Sequence, residues 1–300
     1  MSSVSPGTEI TTAPLPRRTW RERQPGWLRL AWFLLRHTPF ACVVVVLFVL
    51  GAAFGSALAP HSQIDVNLLD RLQGPNGAYL LGTDEYGRDL LSRILGALRA
   101  AAEASLIVLL IGGVVGTTLG LLAGGLGGVV DLVLVRLTEI VQGFPVILLA
   151  LVIVAITSPS LAHGMIAVGV GSAPEFMRIA RGLAIQLRAR AFVEAARGMG
   201  AGELYILRRE LLPNMVGTLS VLASFHAAQA IMYEATLSFL GLGVQAPDPS
   251  FGGMLSEAKS YLSTDPSYAI VVGVPLAVII LALNLLGDAL SDYFDPRRTR

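Results

Sequence analysis

The sequence predicts an all-α, polytopic membrane protein of about six transmembrane helices, each needing ~20 mostly apolar residues. Three observations carry this expectation. The 300 residues are 54% hydrophobic and only 14% charged, where a soluble domain has roughly 25% charged residues. Mean hydropathy is +0.66. Apolar runs of spanning length recur along the chain with polar segments between most of them. A chain this poor in charge cannot cover a water-facing surface, so the bilayer is part of its solvent. Its 32 glycines fit close helix–helix packing, which lipid favours through small residues rather than through a hydrophobic drive.

The elements follow in order. Residues 1–25 are polar, rich in Pro, Ser, Thr and Arg, and read as a disordered tail without the pattern of a cleaved signal peptide. Trp27, Arg29, Trp32 and Arg36 fit a short interfacial helix, completing a cytoplasmic N-terminal tail at 1–38. The transmembrane unit is expected at 39–291, with spans at 40–58, 104–124, 131–157, 161–180, 215–242 and 269–286, and a C-terminal tail at 292–300. Five spans, or a re-entrant segment in place of the fourth, are the alternatives. The single cysteine, Cys42, lies in an apolar run and reads as a small buried hydrophobe. The four histidines are scattered without metal-ligand spacing, so no metal site is expected.

Arginine placement predicts orientation. Six arginines precede the first span, seven lie at 174–214 and three follow residue 296, while 60–103 and 244–267 together hold five Lys or Arg. An even number of spans with both termini cytoplasmic puts the basic segments inside. The net charge of +1 hides this asymmetry and gives no reason to expect a nucleic-acid partner.

The segment 174–214 is the most informative, and it reads as a basic loop holding two helices with a break. Ala195 and Ala196 offer a face poor in side chain. Gly198 and Gly200 permit a sharp turn. Glu203 then opens a second short helix with Leu204, Leu207 and Leu211 on one stripe, ended by Leu212-Pro213 at the membrane surface. Such a helix suits insertion into a partner's groove.

Here the chain resembles a known family. Glu194-Ala195-Ala196, Gly200 and Leu212-Pro213, at their spacing, are similar to the EAA loop of bacterial ABC-importer permeases. The resemblance implies a coupling helix docked on a nucleotide-binding subunit. Glu210 departs from the pattern, relatives often having His or an apolar residue there. A second stretch, including Gly82-Thr83-Asp84 and Gly87-Arg88-Asp89, resembles the segment before the second span in dipeptide, oligopeptide and nickel permeases. Thr83 and Asp84 are helix-capping types. Asp84, Arg88, Asp89 and Arg93 are spaced to pair with one another along a helix. The stretches 234–243 and 284–297 resemble the C-type permease of those systems. Together these imply the type I ABC importer permease fold. They also imply a second homologous permease, one or two ABC ATPase subunits, an extracytoplasmic substrate-binding protein and a lipid bilayer as partners. The location implied is the bacterial cytoplasmic membrane, and the cargo a di- or oligopeptide, with nickel or haem as alternatives.

What the sequence lacks fits the same reading. There is no G-x-x-x-x-G-K-[ST] phosphate loop, and the one lysine, Lys259, follows Ala258. No cofactor is expected in this chain; the resemblance puts ATP and Mg on the partner ATPases. Within the spans, Arg136 and Glu139 are spaced to pair, and Glu234, Ser238 and Asn284 are candidates for pore lining or helix packing, Glu234 either facing a pore or capping the neighbouring loop. His226 reads as a packed core residue. A secondary transporter would call for a chain of such groups or inverted repeats; a membrane enzyme would call for paired acid–base residues. Neither pattern is evident. The segments 61–89 and 244–268, the latter with Phe251-Gly252-Gly253-Met254, are expected to form the outer docking surface.

Overall fold

The computed structural model describes residues 26–294; the N-terminal tail at 1–25 and the end of the C-terminal tail lie outside them. The described residues form ten helices in chain order. They are α1 Gly26–His37, α2 Pro39–Leu58, α3 Leu90–Leu126, α4 Gly128–Gln142, α5 Val146–Ile156, α6 Leu161–Arg188, α7 Ala191–Gly198, α8 Glu203–Phe239, α9 Phe251–Lys259 and α10 Pro266–Phe294. No strand is formed among them.

Four helices (α2, α3, α8 and α10) are long and apolar enough to cross a membrane, and a fifth span results if α4 and α5 count as one. The expected single span at 131–157 is therefore broken, bent by 78°. The break falls at Gly143-Phe144-Pro145, where proline cannot donate the next helical hydrogen bond. The alternative of a re-entrant fourth segment is moved by this to the third. α6 has 28 residues, enough length to cross, but Glu175, Arg178, Arg181 and Arg188 occupy its second half.

Two further boundaries correct the sequence reading. No loop begins at 174: α6 continues through a buried Pro174 to Arg188. Nor does Pro213 end a helix. It lies in the first turn of the α-helical stretch Leu212–Phe239, after a π-wound stretch at Ile206–Leu211. A π-wound turn absorbs the register change where a proline donor is missing.

α3 has 37 residues, roughly 55 Å at 1.5 Å per residue. That exceeds a ~30 Å hydrocarbon core, so its first turns extend beyond the bilayer. Its second half lies against α6 at backbone distance. A β-carbon at Gly116, Gly120 or Gly124 would collide with the carbonyl oxygen of Ala173, Met177 or Arg181 respectively. Glycine every fourth residue thus sets this pair's spacing, as small-residue stripes do in membranes.

Three packed clusters hold the bundle. One joins α2, α3, α8, α9 and α10 around Phe48, Ile94, Ile231, Met254 and Tyr268. A second joins α3, α5, α6 and α8 around Val108, Met165 and Leu237. The third joins the end of α3, the end of α6, α7 and the start of α8. Meanwhile α2 exposes Val43, Leu47, Leu50 and Phe54, and α4 exposes Val129, Leu132 and Leu137. Apolar faces of this kind fit lipid or another spanning chain.

Candidate functional site

The turn between α7 and α8 is built as a rigid unit. Val193 anchors α7 in the third cluster, alongside Leu121, Ala180, Ala184 and Met215, and Ala196 is buried too. Glu194 and Ala195 point outward. Ala195 and Ala196 therefore do not share a face, as the sequence reading had them; one is exposed and the other packed. The turn closes with Gly200 N–H donating to the Arg197 carbonyl at 2.9 Å and Ala201 N–H to the Ala196 carbonyl at 3.0 Å. Gly200 takes φ +87°, a region costly for a side chain. Gly198 has no left-handed backbone and ends α7. Glu203 staples the unit, pairing with Arg188 of α6 at 3.4 Å and Arg197 of α7 at 3.1 Å.

Leu207 and Leu211 are buried with Ile206, whereas Leu204 is exposed. The expected Leu204–Leu207–Leu211 stripe is thus Ile206–Leu207–Leu211, because π winding shifts the register. Leu212 is half-buried and Pro213 exposed. A pocket of about 420 Å³ opens beside the turn, lined by Ala196, Met199, Gly200, Tyr205 and Glu210. Met199 at its rim is 82% exposed.

At the other end of the bundle the second motif forms a buried charge knot. Gly82 and Gly87 both adopt positive φ. A β-carbon on Gly87 would also collide with the Asn67 carbonyl. The resulting turn buries Asp84 completely. One carboxylate oxygen of Asp84 accepts from the Tyr86 and Arg88 amides at 2.8 and 2.9 Å. The other accepts from Arg88 Nε at 2.6 Å and is ion-paired, without a hydrogen bond, with Arg93 Nε at 3.3 Å. Both guanidiniums also reach Glu257 of α9 at 3.3 Å, and Tyr268 Oη donates to Glu257 at 3.1 Å. Burial, and then the charge of Glu257, hold the Glu85 carboxyl above its usual range.

The sequence had these charges pairing along one helix. Only Arg93 lies in a helix, and the partner that joins the motif to the rest of the fold, Glu257, is distant in the chain. Nor do Thr83 and Asp84 cap α3. Asp89 does, accepting from the Ser92 amide at 2.9 Å, while the Thr83 hydroxyl donates to the Asp70 carbonyl. The carboxylates of Asp84, Glu85 and Glu257 come within 4.8 Å of one another, and Arg88 and Arg93 sit among them as counter-charges.

The 244–268 segment also differs from expectation. Phe251 and Met254 are not an exposed patch but core residues of α9. Gly252 allows this by leaving no β-carbon to strike the Ala235 carbonyl. Exposed apolar groups in the 61–89 and 244–268 segments include Ile64, Val66, Leu68, Leu69, Leu80 and Leu262.

α6, α8 and α10 border an open cleft of about 500 Å³ lined by Glu175, His226, Gln229 and Asn284 together with apolar side chains. Asn284 Nδ2 donates to the Ile280 carbonyl at 2.9 Å. Glu234 and Ser238 do not reach this cleft. Glu234 is buried and its carboxylate accepts from the Ser238 hydroxyl at 2.7 Å. That hydroxyl in turn accepts from the Val244 amide at 3.0 Å, so the pair holds the loop after α8. Arg136 and Glu139 do pair, at 2.7 Å. Glu175 was missed because 174–214 read as loop. The signal was Phe176, Met177, Ala180 and Ala184, apolar at helical spacing beyond Pro174.

Comparison with known proteins gives the same picture. The family described as "Binding-protein-dependent transport system inner membrane component" matches residues 116–300. A glutathione transport system permease protein of Pectobacterium atrosepticum is 40% identical over 283 residues, 94% of this chain and 92% of that one. A dipeptide transport system permease protein of Alkalihalophilus pseudofirmus is 36% identical over 85% of this chain and 84% of its own. A probable D,D-dipeptide transport system permease protein of Escherichia coli is 33% identical over 97% of both. Among solved structures, an inward-facing MetNI methionine ABC transporter chain superposes with TM-score 0.54 at 20% identity, covering 68% of this chain and 95% of that one.

Proposed function

Because this chain belongs to the family of binding-protein-dependent transport system inner membrane components, we propose that it is the pore subunit through which an ABC importer passes small peptides into the cell. Separate ATPase subunits supply the energy. The observation that carries this reading is the α7–α8 turn. It is stapled by Glu203 to two neighbouring helices and continues without interruption into spanning helix α8. A push on α7 is therefore delivered to the bundle through packed side chains rather than through a flexible loop. In this reading Glu194, Ala195, Met199 and Gly200 meet the ATPase, Glu203 braces the turn, and Leu207 and Leu212 transmit the movement. ATP and Mg are held by the ATPases. The cargo class follows from relatives named for dipeptide and glutathione transport across most of their length.

A single bundle of this kind leaves α2, α4 and α5 with broad apolar faces, and a second homologous permease is proposed to complete the pore. An extracytoplasmic binding protein is proposed to dock over Leu68, Leu69 and Leu80, beside the charge knot. The test is co-purification. Tagged chain, expressed with its neighbouring genes and extracted in mild detergent, is expected to retain a distinct permease and one or two ATPase chains. Recovery as an active homodimer would contradict the assignment.

Both termini are proposed to be cytoplasmic, in a bacterial cytoplasmic membrane. A cysteine introduced next to Arg300, in a Cys42→Ala background, is expected to react with an impermeant maleimide only after the membrane is opened. Labelling from outside intact cells would reverse the orientation.

A further inference from the structure

Glu175 is a carboxylate near the middle of a helix that runs inside the bundle. It lies in the central turns of α6, and His226 and Asn284 lie in the interiors of α8 and α10. An ionised side chain at such depth is costly unless it faces a water-filled path or a partner charge. Glu175 is 51% exposed, and it opens into the 500 Å³ cleft rather than into packing. Among the described residues no Lys or Arg is paired with it; its neighbour is His226, Nε2 at 3.4 Å.

His226 is the second, independent observation. His226 is 4% exposed, and its ring lies tilted against Phe176, the residue after Glu175, with centroids 4.6 Å apart. Its Nδ1 is buried with no hydrogen-bond partner. Phe176 packs against the His226 ring, and that ring meets the Glu175 carboxylate at the wall of the cleft. Gln229, one turn further along α8, adds an amide to the same wall. The cleft's size falls in the range of small-molecule sites, ~300–1,000 Å³.

We propose that Glu175, positioned by His226 and Phe176, is a way-station on the translocation path that takes the ammonium group of a passing peptide. Gln229 lies within the same cleft to meet the peptide's amides. This inference rests on the peptide-importer reading given above. An ammonium is the ligand class that the geometry selects. The site offers a carboxylate and neutral amides but no fixed cation, so an anionic group gains nothing there, and a cationic group gains a charge-assisted contact in a low-dielectric setting. A half-exposed carboxylate also leaves the contact weak enough to release its cargo, as a conduit requires.

The test uses the complete transporter, reconstituted with its partner permease, ATPases and binding protein, and uptake normalised to assembled complex. The probes are a dipeptide with a free amino terminus and its N-acetylated form. Glu175→Gln, which keeps shape and removes charge, is expected to cut uptake of the free-amine dipeptide about tenfold, the worth of one charge-assisted contact. Glu175→Asp is expected to fall between wild type and Glu175→Gln. Glu103→Gln, which removes a carboxylate that does not line the cleft and is exposed beside Arg99, is expected to behave as wild type. Uptake of the N-acetylated dipeptide, whatever its wild-type level, is expected to be unchanged by Glu175→Gln. The inference is overturned if Glu175→Gln transports the free-amine dipeptide like wild type. It is equally overturned if the N-acetylated form loses as much, or if Glu175→Asp is as poor as Glu175→Gln. If the assembled wild-type complex takes up neither dipeptide, the peptide reading itself fails and the inference falls with it.

Discussion

Gly200→Asp abolishes uptake while the protein still reaches the membrane and assembles: this is the expected result with the largest functional effect. Gly200 sits at φ +87°, where a β-carbon costs about 1–2 kcal/mol. That strain is too small to unfold a bundle with three packed clusters. Within the chain a β-carbon there meets no atom within 4 Å, so nothing in the fold itself is pushed aside. The added carboxylate instead projects beside the pocket that holds Glu210 and Met199, into the face proposed to meet the ATPase. Strain reshapes the turn and a second negative charge repels across it, so ATP hydrolysis ceases to respond to the binding protein. Gly182→Ala, at a helical glycine with open space around it, is the matched control and leaves uptake unchanged. Wild-type uptake by Gly200→Asp at normal expression would reduce the turn to a basic anchor.

Asp84→Asn has the largest expected effect on stability. Asp84 is fully buried and serves two guanidiniums and two amides at once. Removing its charge leaves Arg88 and Arg93, both almost wholly buried, sharing Glu257. Breaking a buried pair from one side costs about 3–5 kcal/mol, a large part of a typical net stability of ~5–15 kcal/mol. The purified variant is expected to unfold many degrees below wild type and to accumulate poorly in the membrane. Glu103→Gln, which breaks the exposed pair with Arg99, is expected to leave the unfolding midpoint almost unchanged and serves as the comparison. An unchanged midpoint for Asp84→Asn would mean that the knot is ornamental.

A span with a continuous apolar run was legible in the sequence, as α2 illustrates, expected at 40–58 and formed at Pro39–Leu58; the last span was placed but not bounded, since α10 runs Pro266–Phe294 against an expected 269–286. What escaped depended on partners distant in the chain. α6 read as a loop after residue 174 because Pro174 and a series of arginines follow one another there. In the fold Arg181 is neutralised by Asp131 of α4, with two contacts of 2.5 and 2.6 Å, and Pro174 is buried within the helix. Likewise Arg88 and Arg93 have their anchor in Glu257, and Phe251 and Met254 looked exposed because the approach of Gly252 to α8 is not written in local pattern. Gly200 was legible because a left-handed turn has a local signature. The Glu175–His226 pair was not, because it joins two helices whose register only packing sets.

In the proposed function this chain forms a peptide path driven by ATP that partner subunits hydrolyse. The most direct measurement is accumulation of a labelled dipeptide in proteoliposomes containing the purified complex, with binding protein on one side and ATP on the other. The account predicts accumulation that requires both ATP and binding protein and disappears when this chain is left out. Accumulation without ATP, driven by an ion gradient alone, would contradict it.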